Sequence, residues 1–164
     1  MQLINLNRNL LRNSFTLYSA LMSRRDKIHD NVRTVLLEDG WIITHDPYVI
    51  ALRDEHEKTS RYSVDLGAEK LIAAEKDAYK IAVEVKTLGG SSLISEYHHA
   101  LGQYLDYLVG LEVQEPARKL FLAITEASYQ ALMESPLAKL SLTRYPVNLL
   151  VFDEKTNRIV QWKE

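Results

Sequence analysis

The chain has 164 residues, 46% of them hydrophobic and 26% charged. That composition fits one globular domain and excludes a disordered chain, a collagen-like chain and a simple coiled coil. With 20 basic against 22 acidic residues the net charge is −2, so the whole molecule exerts no general pull on nucleic acid. The count of zero cysteines removes disulfide scaffolds, thiolate zinc sites and cysteine nucleophiles together. No apolar run approaches the ~18 residues of a membrane span. A cytoplasmic protein is expected.

Residues 1–22 are rich in Asn and Leu, with polar residues breaking every apolar stretch, so they do not read as a signal peptide. They are expected to be an extension, flexible or translated from an early start, with 23–164 as a single domain. Residues 24–39 predict a helix, because Ile28, Val32, Val35 and Leu36 fall at helical spacing and Gly40 ends it. Trp41–Asp46 predicts a strand closed by Pro47, and 53–61 a charged loop. Two β-rich runs between Tyr62 and Lys86 flank a polar turn near Glu75–Asp77, and together predict a hairpin. In the second run Ile81, Val83 and Val85 face one way, and Ala82, Glu84 and Lys86 the other. Gly89–Ser92 breaks the strand and can cap a helix over 93–111. Ile94, Tyr97, Leu101, Tyr104, Leu105 and Leu108 are its expected apolar stripe, with Ser95, His99, Gln103 and Asp106 opposite. A buried strand over Lys119–Thr125, a helix over 126–134 ended by Pro136, and strands at Tyr145–Asp153 and Arg158–Trp162 complete the chain. This order is α/β, a mixed sheet with helices on both faces.

The chemistry concentrates at Glu84-Val85-Lys86, with acids upstream at Asp65, Glu69 and Glu75. A turn centred near 77–78 sets Glu84 opposite about Leu71 and brings Glu69 and Asp65 to its face or close to it. Carboxylates converging within ~4–6 Å repel unless something compensates. A hard divalent cation, Mg²⁺ or Mn²⁺, does so through oxygen ligands. A neighbouring lysine can orient water or meet developing negative charge. Metal, water and lysine suit phosphodiester hydrolysis. The bland alternative is an ordinary Glu-x-Lys on a solvated sheet face. His98 and His99 point ~100° apart on a helix and form no ready metal pair. Tyr97 and Tyr104 fit core packing better than base stacking.

Val64-Asp65, a hairpin and Glu84-Val85-Lys86 resemble the PD-(D/E)xK nuclease pattern, with Val64 in place of the proline. Gln103-Tyr-Leu-Asp-Tyr107 is similar to the Gln-x-x-x-Tyr motif on the helix that follows in that superfamily. The resemblance also implies a polar residue from the first helix, for which His29 or Glu38 could serve. Longer strings, GWIITHDP at 40–47, DLGAEKLIAAEKD at 65–77, IAVEVK at 81–86 and ALGQY at 100–104, resemble the XisH family from Arg25 onward. Its start is similar to Met22-Ser-Arg-Arg-Asp26. Membership implies a restriction-endonuclease-like fold, a mixed central sheet flanked by helices. It also implies a part in excision of a DNA element in cyanobacteria, beside a site-specific recombinase and an XisI-like companion.

On this reading Asp65, Glu84 and the Val85 carbonyl hold the metal, Lys86 positions water, and Gln103 orients Lys86 or a phosphate. Glu69 is the alternative ligand, and His29 and Tyr107 are accessories. DNA is the expected partner, no membrane is involved, and a homo-oligomer is compatible. Three functions compete: a Mg²⁺-dependent nuclease, a catalytically silent DNA-binding accessory, and a subunit serving the XisI-like companion. The intact Asp65/Glu84/Lys86 set favours the first. Mild acidity and small size favour the other two.

Overall fold

The computed structural model describes residues 24, 26–62, 71–77, 79–90, 92–145 and 147–164. The 1–22 extension, Asp65 and Glu69 lie outside them. A helix over 26–38 (α1) is followed by β1 (Ile42–His45), β2 (Ile50–Arg53) and β3 (Thr59–Tyr62). Then come β4 (Leu71–Lys76), β5 (Tyr79–Val85), α2 (Leu93–Gln114) and β6 (Arg118–Thr125). The chain closes with α3 (Glu126–Glu134), α4 (Pro136–Arg144), β7 (Leu149–Asp153) and β8 (Arg158–Lys163).

Six strands form one mixed sheet in the order β1-β4-β5-β6-β7-β8. Its centre, β5-β6-β7, is parallel, and the outer pairings are antiparallel. The crossovers β5-α2-β6 and β6-α3-α4-β7 step in the same direction along the sheet. Right-handed crossovers then put α2, α3 and α4 on one face and leave the other to α1. The two cores agree with this. Ile28, Val32, Val35 and Leu36 of α1 pack on Ile81, Val83, Val85, Phe121 and Phe152. Tyr97, Ala100, Tyr104 and Leu111 of α2 pack on Ala73, Ala82, Leu120 and Leu122. Where both faces are covered the central strands are buried, over Ile81–Val85 in β5 and Leu120–Thr125 in β6, as in parallel sheets.

Three local expectations change. The charged loop over 53–61 is instead half of a separate β2-β3 hairpin, in register from Ile50↔Tyr62 to Arg53↔Thr59. Asp54 closes its turn by accepting from the backbone N–H groups of His56 and Lys58. Pro136 does not merely end α3: Ser135 caps the start of α4 and Pro136 occupies its first turn, where a missing N–H costs nothing. The α2 stripe is rotated. Tyr97, Ala100, Tyr104, Tyr107, Gly110 and Leu111 are buried, while Ile94, Leu101, Leu105 and Leu108 pack only partly.

Candidate active site

The β4-β5 register sets Leu71 opposite Glu84, as the hairpin geometry predicts. Alternation then sends Val83 and Val85 into the α1 core, and Glu84 and Lys86 toward α2. Neither side chain is solvated: Glu84 is 0% and Lys86 3% exposed, which excludes the ordinary polar sheet face. Lys86 Nζ lies 2.9 Å from Glu84 Oε1 and also donates to Gln103 Oε1 of α2. Burying a charge costs several kcal/mol, roughly, unless partners compensate, so the pair and the amide form one unit. Tyr107, one turn beyond Gln103, is buried on the same helix.

The chain leaving Lys86 is held from three sides. Lys86 N–H donates to the Ala123 carbonyl at 3.0 Å, extending the β5-β6 ladder. Ser128 Oγ donates to the Leu88 carbonyl at 2.8 Å. The Glu96 carboxylate accepts from the N–H groups of Gly89 and Gly90, at 2.7 Å for Gly89. Ser92 caps α2 by accepting from Ser95 N–H. Sequence reasoning found the Ser92 cap but missed Ser128 and Glu96. An acid in the first turn of the helix, where the dipole favours negative charge, was the available signal for Glu96; Ser128 carried none.

His29 sits elsewhere. It belongs to α1, across the sheet from Glu84, and its Nε2 lies 3.0 Å from Asp46 Oδ2. Arg33 bonds the same oxygen. Burial works to raise the Asp46 carboxyl, but the hydrogen bonds and charges of His29 and Arg33 outweigh it and hold the group below the ordinary carboxylate range. Glu38 is exposed in the last turn of α1.

A second polar cluster, unforeseen from the sequence, lies at the opposite end of β5 and β6. Arg118, 5% exposed, donates to Glu115 at 2.7 Å, to the Ile81 carbonyl at 2.9 Å and to Glu75 at 3.1 Å. Tyr48 and Lys80 reach the same Glu115 carboxylate at 3.0 and 3.1 Å. The Arg118 hydrogen bond is the main cause, against burial, of the Glu115 carboxyl falling to about 2. These contacts tie α2, β4, β5 and β6 together.

The donor chemistry at Glu84 fits an oxygen-preferring divalent cation: a carboxylate at a strand end, with the backbone carbonyl of Val85 next to it. Among the described residues no cluster of three or more His, Asp or Glu forms a ready cation cage. Asp65, the second acid of the motif, lies outside them. No helix among the described residues is long and apolar enough to cross a membrane.

The XisH protein family matches residues 22–160. The chain belongs to the XisH family. Its fold is similar to the crystal structure of an fdxN element excision controlling factor protein from Anabaena variabilis, with TM-score 0.74 and 38% identity over 85% of this chain and 99% of that one. An XisH family protein from Nostoc punctiforme is similar too, with TM-score 0.73 and 36% identity over 85% of this chain and 100% of that one. No curated protein gives a significant match.

Proposed function

We propose that this XisH protein acts in excision of a DNA element, through a Mg²⁺- or Mn²⁺-dependent site of the PD-(D/E)xK type that hydrolyses DNA phosphodiesters. The fold is read as restriction-endonuclease-like on the same basis. The observation that carries the reading is the buried Glu84–Lys86 pair at the C-terminal end of a central strand, with Gln103 of the next helix on the lysine. A fold gains little net stability from such a pair relative to apolar residues. Chemistry that needs a carboxylate and an ammonium at fixed separation gives it a use. The name of the Anabaena relative supports the DNA-element role.

Glu84, the Val85 carbonyl and Asp65 would hold the cation, which supplies Lewis-acid charge at the phosphate. Lys86 positions a water whose oxygen attacks phosphorus as its proton passes to solvent; the P–O bond to the leaving oxygen breaks, and that oxygen takes up a proton from solvent. Gln103 fixes the Lys86 rotamer. DNA, an XisI-like companion and a recombinase are the proposed partners. A catalytically silent accessory is the second reading, favoured by the −2 net charge, which draws no phosphate backbone by itself.

The test is cleavage of plasmid and branched DNA with Mg²⁺ or Mn²⁺, with and without an XisI-like protein. Wild type cuts. Glu84→Gln and Lys86→Ala lose at least ~100-fold, the scale expected for removing a group that acts on the reacting atoms. Circular dichroism checks that the variants fold, and Glu84→Asp serves as the milder substitution. Wild type that cuts nothing, yet binds DNA as tightly as its variants, establishes the accessory reading instead.

A further inference from the structure

Both tryptophans of the chain stand on one open groove of about 380 Å³, on the α1 face of the sheet at the end away from Glu84. α1 stops at residue 38 and turns away at Gly40, so among the described residues no helix covers the first residues of β5 and β6. Trp41, Phe121 and Trp162 floor the uncovered strip. The two indoles are 5.9 Å apart, and Phe121 meets Trp162 edge-on at 4.8 Å. Tyr79 stands at the mouth, 68% exposed.

Lys76 and Lys119 form the rim, with Asp77 and Glu164 between them, while Lys80 borders the groove through its backbone side and sends its ammonium to Glu115 on the α2 face. Each lysine is in an ion pair: Lys76 with Asp39 at 3.4 Å, Lys80 with Glu115 at 3.1 Å, Lys119 with Glu164 at 2.6 Å. These lysine side chains are 40–51% exposed, so the pairs are cheap to exchange for another anion. The balanced rim gives no strong field. Affinity must therefore come from the rings, with the ammonium groups meeting an anion spaced along the ligand. The tilted indoles and the exposed Tyr79 offer aromatic surface beside lysines that can reach phosphate, the two elements of sites for unpaired nucleotides.

We propose that this groove is a stacking site for the unpaired bases of single-stranded nucleic acid. For the identity of its ligand the inference rests on the DNA-handling reading above; the groove itself is distinct from the Glu84 site. It gives a chain without net positive charge a means of holding a displaced strand. Duplex DNA, whose base faces are already stacked, binds it poorly.

Because the groove holds every tryptophan, intrinsic fluorescence reports on it directly. The full chain is titrated with an oligothymidylate and with a blunt duplex, in EDTA to prevent cleavage. The single strand should quench saturably, and the duplex bind at least about fivefold more weakly. Tyr79→Ala, at an exposed position that leaves the fold intact, should weaken the single strand about fivefold or more. Lys139→Ala, an exposed lysine of α4 behind the sheet, should leave it unchanged. Emission that ignores the single strand, responds equally to duplex, or shifts with protein concentration alone because a second copy covers the groove, overturns the proposal. Quenching in EDTA by a wild type that fails to cut with Mg²⁺ or Mn²⁺ defeats the nuclease reading and leaves the groove standing; cleavage with the metal but no quenching in EDTA does the reverse.

Discussion

Glu84 and Lys86 are adjacent on one strand face and sealed from water, so neither charge is tolerated at full value without the other. Replacing one member of a buried pair costs about 3–5 kcal/mol, whereas replacing both by apolar groups of similar volume is often nearly neutral. Urea unfolding of Glu84→Gln, Lys86→Met and the double variant should therefore show a double loss smaller than the sum, with coupling of at least ~1 kcal/mol. Strict additivity would mean that the two side chains do not act as a unit. Glu115 makes a separate prediction about acid. Its carboxyl is depressed in the folded state to about 2, mainly by Arg118. The stability it contributes is present above the ordinary glutamate range and is lost as pH falls from there through about 2. Glu115→Gln should be less stable than wild type at about pH 7, and the gap should narrow steadily by about pH 2. Urea midpoints across that range check it.

The β2-β3 hairpin is fastened to α2 through one close approach. A Cβ on Gly110 would meet Ile50 Cγ2 at 2.7 Å, inside any ordinary carbon contact. Ile50 is 1% exposed, so the contact cannot relax into solvent. Gln114 adds to the fastening, accepting from Ala51 N–H at 2.7 Å and donating to Tyr48 at 2.8 Å. Gly110→Ala should cost ~1–3 kcal/mol despite the better helix propensity of alanine, because overpacking a filled contact outweighs it. Thermal melts, with amide exchange in 50–62, would register the loss and its location. The hairpin escaped the sequence reading because β3 is Thr-Ser-Arg-Tyr, wholly exposed, and carries no alternation to detect. α4 escaped because a proline serves as readily at a helix start as after a helix end.

At the scale of the molecule, two right-handed crossovers place three helices behind the sheet and α1 in front. This brings Gln103 onto a lysine 17 residues away. Among the described residues it also leaves uncovered the sheet end floored by the tryptophans. If Glu84 takes part in holding a cation, ligation stabilises the native state by mass action. Millimolar Mg²⁺ or Mn²⁺ should then raise the thermal midpoint of wild type and leave that of Glu84→Gln unmoved. An equal shift in both would place the cation elsewhere.

The sequence by itself determined the α/β class, most of the elements, and the hairpin register that opposes Leu71 to Glu84. It did so because period-two alternation and a single polar turn admit one pairing. It also picked out Glu84, Lys86 and Gln103. Tertiary structure alone decided that the Glu84 face is buried, because burial depends on a helix arriving from the next crossover. It alone brought Glu75 and Tyr48, distant in sequence, to the local Glu115–Arg118 pair. It paired His29 with Asp46 across the sheet from Glu84, since the face α1 covers is set by crossover handedness rather than by any residue in α1.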